Sequence, residues 1–143
     1  MPPAPTAPIG LTLARTAKAV SRAFEQALAA AGGSLPTWLI LISLKHRRLG
    51  TQRELAEAIG IQGATLTHHL NAMEAAGLLT RRRDPANRRV HIVELAEAGE
   101  ALFHRLWGTA AAFDRRLRAG LTSEEVAELE RLLERLRRNA AGR

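Results

Sequence analysis

Between Thr51 and Leu95 the chain is punctuated so closely by capping residues, glycines and a proline turn that only short helices and a short hairpin fit there. Thr51 with Glu54 forms a capping box, in which each residue satisfies an amide that the first helical turn leaves open. The helix it starts ends at Gly60. A second helix is predicted from about Gly63 to Ala76, closed by Gly77, which can take the left-handed conformation. Its buried face is Leu66, Leu70 and Met73. The opposite face carries Ala64, Thr65, His68, Asn71 and Ala75, with Thr67 and His69 on the flanks. So narrow an apolar stripe leaves a polar, small-residue face for something else to contact. Two strand candidates follow, Leu78–Arg83 and Arg89–Leu95, joined by the turn-rich Asp84-Pro85-Ala86-Asn87. Arg81, Arg82, Arg83, Arg88 and Arg89 flank that turn.

Outside this stretch the pattern is helical. Residues 1–8 contain Pro2, Pro3, Pro5 and Pro8 and are expected to be a disordered lead-in. A helix from about Leu11 to Ala31 carries the stripe Leu13, Ala17, Val20, Phe24 and Leu28, and Gly32-Gly33 stop it. Pro36 suits the first turn of the next helix, which is expected to end near Arg47-Arg48 with Trp38, Leu41 and Leu44 on its apolar side. After the hairpin, a long helix from about Ala98 to Ala119 carries Phe103, Leu106, Trp107, Ala110, Phe113 and Leu117, and Gly120 ends it. Thr122 with Glu125 is a second capping box, opening a last helix with Val126, Leu129, Leu132, Leu133 and Leu136. There is no internal repeat. An α+β domain, mainly α, with helical extensions at both ends is the economical reading.

A chain of 143 residues, 46% hydrophobic and 24% charged, is the size and composition of one globular domain. Aromatics make up only 3%, with no Tyr, so Leu, Ala, Val and Ile must build the core. The net charge is +7, and among 21 basic residues only Lys18 and Lys45 are lysine. A polyanionic partner follows naturally, since arginine forks onto phosphates and guanine edges. An Ala/Arg/Leu-rich chain is also what a GC-rich genome encodes, so the clustering of arginines is stronger evidence than their number.

The absence of cysteine excludes disulfides, thiolate redox sensing and Cys-ligated zinc. No basic stretch precedes an apolar run at the N-terminus, and the apolar segment Leu35–Leu44 is too short to cross a bilayer. A soluble, cytoplasmic, nucleoid-associated protein without a membrane partner is expected. His46, His68, His69, His91 and His104 lack the helical spacing of a hydrolytic zinc site, so no metal or other cofactor is expected. Nothing pairs a nucleophile with a base and no glycine-rich phosphate loop occurs, so the chain does not read as an enzyme.

The ordered series of motifs resembles the MarR family of winged helix-turn-helix transcriptional regulators. The resemblance is carried by Glu54-Leu55-Ala56, Ile59-Gly60, Ala64-Thr65-Leu66-Thr67, Met73-Glu74 and Gly77-Leu78-Leu79-Thr80-Arg81. It continues through Asn87-Arg88-Arg89 and Val93-Glu94-Leu95-Ala96-Glu97-Ala98-Gly99, covering about Leu35 to Phe103. Two departures stand out. Asn87 occupies a position where the family usually has an Asp able to hold an arginine by a charge-assisted bond. Ala96 stands where a Thr would cap the next helix, a loss of about 1 kcal/mol.

The resemblance implies an organisation in which residues 9–34 form an N-terminal dimerisation helix. Residues 35–97 are then the winged-helix DNA-binding region, and residues 98–143 the C-terminal dimerisation helices, all in a single intertwined domain. Three apolar stripes exceed what a small winged helix needs, which suggests a two-fold homodimer. Such a dimer sets two recognition helices about one DNA turn apart on a near-palindromic site in double-stranded DNA.

The first turns of the 63–76 helix are expected in the major groove, with Gln62, Thr65, Thr67, His68 and His69 reaching base edges or nearby phosphates. Thr51 and Gln52, at a helix N-terminus, are assigned to phosphate. Arg88 and Arg89 are assigned to a narrow minor groove, the resemblance favouring Arg89, while Arg81, Arg82 and Arg83 follow the backbone. The resemblance also implies a repressor that responds to a small-molecule effector, a phenolic or aromatic acid by analogy. Phe24, Trp38, His46, His104 and Trp107 are the candidate pocket residues. Two other readings compete: a metal-responsive regulator using the histidines, and a basic interaction module that binds RNA or an acidic protein.

Overall fold

A computed structural model describes residues 6–46 and 50–142. Six helices and one hairpin follow in the order α1 (Ile9–Ala30), α2 (Leu35–His46), α3 (Gln52–Ile59), α4 (Gly63–Ala75), β1 (Leu79–Arg83), β2 (His91–Leu95), α5 (Glu97–Arg118) and α6 (Ser123–Ala140). Two compact units make up the chain, residues 1–110 and residues 111–143.

In the first unit the core takes residues from every element. Leu28 of α1, Ile40 and Leu41 of α2, Leu55 of α3, Leu66 and Leu70 of α4 and Leu106 of α5 are wholly buried, with Leu79 and Val93 from the hairpin beside them. The face of α4 read from sequence, Leu66, Leu70 and Met73, is the one that is buried. The α2 helix differs from its expected one-sided stripe. Trp38, Ile40, Leu41 and Ser43 are all buried, as expected of a helix that is apolar nearly all round and is packed on several sides. Its expected end at Arg47-Arg48 lies outside the described residues.

Local chemistry sets the joints. Thr51 accepts the Glu54 amide at 3.1 Å and its own amide donates to Glu54 Oε1 at 3.2 Å, so the capping box that opens α3 is complete. The Val93 amide donates to the Gly50 carbonyl at 2.7 Å and Thr51 bridges Ile92, which fastens the approach to α3 against β2. Gly77, at φ 76°, turns the chain out of α4 into β1. Gly99 has a different task. A Cβ there would lie 2.0 Å from the Leu78 carbonyl oxygen, so only glycine lets α5 begin against the foot of the hairpin.

In the second unit α6 begins at the expected box, Thr122 accepting the Glu125 amide at 3.1 Å. Glu124 and Glu125 lie in its first turn and Arg137 and Arg138 in its last, each matching the helix dipole. No residue of α6 is buried, and Leu129, Leu132 and Leu133 are 40–48% exposed.

Candidate nucleic-acid interface

The N-terminus of α4 is open. Gln62 takes its N-cap position in extended conformation without any side-chain cap bond, so among the described residues the first-turn amides have no side-chain acceptor. Gln62, Gly63, Ala64, Thr65 and His68 are exposed, and His69 is half-buried at the helix edge with its ring 5.7 Å from that of His68. A helix end with free amides and short polar side chains suits an anionic, grooved surface.

The hairpin is antiparallel, with Leu79 opposite Leu95, Arg81 opposite Val93 and Arg83 opposite His91. Its loop is longer than the expected tetrapeptide and runs from Asp84 to Val90, so Arg88 and Arg89 sit in the loop and not at the start of β2. Two side-chain turns account for the extra length. Asp84 Oδ1 accepts the Ala86 amide at 2.9 Å, and Asn87 Oδ1 accepts the Arg89 amide at 3.2 Å. Asn87 therefore shapes the loop through the backbone, a task an amide oxygen performs as well as a carboxylate. Arg83 closes the loop by donating to the Arg88 carbonyl at 2.8 Å.

The five arginines divide sharply. Arg82 donates through Nε and Nη2 to Glu94 Oε1 across the hairpin. Arg81, expected along the DNA backbone, has only 18% of its side chain exposed and is held inside the protein. Its guanidinium donates to Glu74 Oε1 at 3.0 Å, to Asn71 Oδ1 and, at 3.5 Å, to Gln52 Oε1, while its amide donates to Glu74 Oε2 at 3.0 Å. The bonded guanidinium of Arg81 holds the Glu74 carboxyl below its ordinary range. Arg88 and Arg89 have exposed side chains and no side-chain partner among the described residues.

The residues assigned to phosphate at the start of α3 also have internal partners. The Thr51 hydroxyl both receives the Glu54 amide and donates to Glu54 Oε1 at 2.8 Å. Gln52 donates through Nε2 to Thr67 Oγ1 at 3.4 Å, and its Oε1 meets His91 Nδ1 at 3.1 Å. Thr67 in turn donates to the Gly63 carbonyl at 2.9 Å. Thus Gln62, Thr65, His68, Arg88 and Arg89 form the outward set, and Thr51, Gln52, Thr67 and Arg81 an inner one. Glu74, Asn71 and His91 complete the inner set. Nothing in their spacing marks them, because they meet only once α4 and the hairpin are folded together.

Trp38, His46, Phe103 and Trp107 form one aromatic group. Trp38 and Phe103 are 6% and 5% exposed and stack at 5.9 Å, whereas Trp107 is 46% exposed, with the His46 ring 5.0 Å away. His104 is exposed against Phe103, and Phe24 is half-buried against the core. Trp38 is therefore a core residue, and the accessible edge belongs to His46, His104 and Trp107. His46 also lines a cleft of about 270 Å³ with Leu39, Ile42, Ser43, Ala58 and Ile59. Among the described residues no three His, Asp or Glu side chains converge as a metal site, and no single helix is long and apolar enough to cross a membrane.

Residues 34–91 match the MarR family model. A relative from Bacillus subtilis (strain 168), the uncharacterized HTH-type transcriptional regulator YdgJ, is 29% identical over 100 residues, covering 70% of this chain. The chain spans 61% of that relative's length. The crystal structure of transcriptional regulator PA3341 is 30% identical with a TM-score of 0.75, covering 95% of this chain and 100% of the other. The transcriptional repressor CouR, bound to a 23-mer DNA duplex, is 26% identical with a TM-score of 0.79, covering 90% and 92%. Helix pair, hairpin and flanking helices thus recur in the same order in regulators of this kind, and the chain belongs to the MarR family of winged-helix transcriptional regulators.

Proposed function

We propose that this chain is a sequence-specific reader of double-stranded DNA that acts as a homodimer and regulates transcription. The observation that carries the reading is the outward set. The open N-terminus of α4 presents Gln62, Thr65 and His68, and the hairpin loop presents Arg88 and Arg89, whose side chains have no partner among the described residues. Side chains of the first group have the donors and acceptors that base edges in a major groove require. The second pair has the charge and reach for a narrow minor groove or its phosphates. His69, at the helix edge, is assigned to a neighbouring phosphate.

Dimerisation is supported by apolar side chains that the single chain leaves in water. On α1 these are Ile9, Leu11 and Leu13, and on α6 Leu129, Leu132 and Leu133. Residues 9–34 and 98–143 are accordingly assigned to a two-fold interface, and residues 35–97 to DNA. Repression is assigned to a dimer whose site overlaps a promoter and so excludes the polymerase; CouR, a relative of like fold, is a DNA-bound repressor. An effector releases such a dimer only if it binds the DNA-competent and incompetent forms with different affinity. We assign its contact to the accessible edge formed by His46, His104 and Trp107, backed by Trp38, while Phe24 lies half-buried against the core.

Selection from a random duplex library tests this reading. The expected product is one half-site repeated with two-fold symmetry, its centres about one helical turn apart. Recovery of unrelated sequences after repeated rounds would overturn it.

A further inference from the structure

The inner set has a polarity that its own chemistry dictates. A guanidinium only donates, so the atom of Gln52 that meets Arg81 must be the amide oxygen. The Gly63 carbonyl only accepts, so the Thr67 hydroxyl spends its hydrogen there and presents oxygen to Gln52. Both ends of the Gln52 amide are therefore assigned without choice: oxygen toward the hairpin, nitrogen toward α4. Because that oxygen can only accept, His91 must carry a hydrogen on Nδ1. A single directed chain results. It runs from Arg81 of β1 and His91 of β2, through Gln52 of α3, to Thr67 and the first-turn carbonyl of α4.

We propose that Gln52 is a positioning residue that fixes the hairpin relative to the recognition helix, and that it does so by holding His91 as the Nδ1–H form. A phosphate contact is not its task, since both polar ends of its side chain are engaged within the protein. Among the described residues no other side chain in the inner set is hydrogen-bonded to α4 and to both strands: Arg81 bonds Asn71 and Glu74 of α4, and His91 bonds Gln52. The consequence is coupling. Contacts made by Arg89 in the loop and by Thr65 and His68 on α4 become worth more together than apart, because one amide sets the distance between them.

The proposal rests on the reading that α4 and the hairpin both touch DNA, so its test has one arm without DNA. In the free protein, nitrogen-15 spectra above the histidine titration are expected to report His91 protonated at Nδ1. In Gln52→Ala that signature is expected to shift to the Nε2–H form that free imidazole side chains favour. Gln52→Glu keeps an acceptor for Arg81 and His91 but has no hydrogen for Thr67, so it should retain the Nδ1–H signature. An Nε2–H signature in the unmodified protein, or one indifferent to Gln52→Ala, would overturn the proposal.

The second arm is a double-mutant cycle on a duplex selected by the unmodified protein. The loss caused by Arg89→Ala is expected to shrink by roughly tenfold in the Gln52→Ala background, and likewise in Gln52→Glu. Equal losses in all backgrounds would overturn the coupling. A negligible loss from Arg89→Ala in the unmodified protein would instead overturn the reading of the hairpin as a DNA contact, an outcome the DNA-free arm distinguishes.

Discussion

Single residues decide how the hairpin meets the rest of the molecule. Gly99 admits no side chain, because the Leu78 carbonyl lies where a Cβ would be. Gly99→Ala must move backbone and is expected to cost about 3 kcal/mol in denaturant unfolding, at the upper end of overpacking costs. Gly63→Ala, with nothing within 4 Å, is expected to raise stability by up to about 0.5 kcal/mol. Glu74 supplies a pH test. Its carboxyl, bonded to Arg81, is held below the ordinary carboxylate range, so its contribution is fully present above that range and fades as pH falls through the lowered folded-state value. Glu74→Gln should therefore be less stable than the parent at neutral pH, with a gap that closes in acid. A gap independent of pH would remove the charged pair from the account. The sequence displayed these residues without their reasons, since Gly99 and Glu74 sit in motifs whose partners, Leu78 and Arg81, are met only in three dimensions.

Elements were the most legible level, because their ends are written in local chemistry. Both capping boxes, at Thr51 and Thr122, are formed, and Gly60 and Gly77 take the left-handed conformation where α3 and α4 stop. Two features escaped local reading. The turns made by Asp84 and Asn87 lengthen the hairpin loop, because each side chain competes for backbone amides that strand pairing would otherwise use. The burial of α2 on several sides follows from its neighbours and leaves no one-sided stripe to read. Ala96 gives a prediction at this level. Its carbonyl accepts the Glu100 amide at 3.0 Å, so it stands at the entry to α5 with no side-chain oxygen to cap the first turn. Ala96→Thr is expected to stabilise the protein by about 1 kcal/mol, and Thr51→Ala to destabilise it by a similar amount, both read from denaturant midpoints.

At the scale of the whole molecule, the exposed apolar residues of α1 and α6 are the surface that the proposed homodimer would cover. Periodicity revealed the stripes, and the folded chain leaves Leu129 and Leu133 at 48% and 40% exposure. Leu129→Glu with Leu133→Glu is expected to shift the protein to monomer in sedimentation velocity at micromolar concentration, and to weaken DNA binding with it. The sequence also marked the basic loop, but not the division among its arginines. Charge along the chain does not tell that Arg81 faces Glu74 while Arg88 and Arg89 face outward. That division is what distinguishes the proposed DNA reader from a generic polyanion surface.

The most direct test of that reader is a titration of a selected duplex and a scrambled duplex over a salt series, with the parent protein and Arg89→Ala. The parent is expected to prefer the selected duplex at every salt concentration, by about a thousandfold or more near physiological salt. Its affinity should fall steeply with salt, and Arg89→Ala should lower the slope of log affinity against log salt by about one unit per contact. Equal affinity for both duplexes, with Arg89→Ala indistinguishable from the parent, would contradict the account.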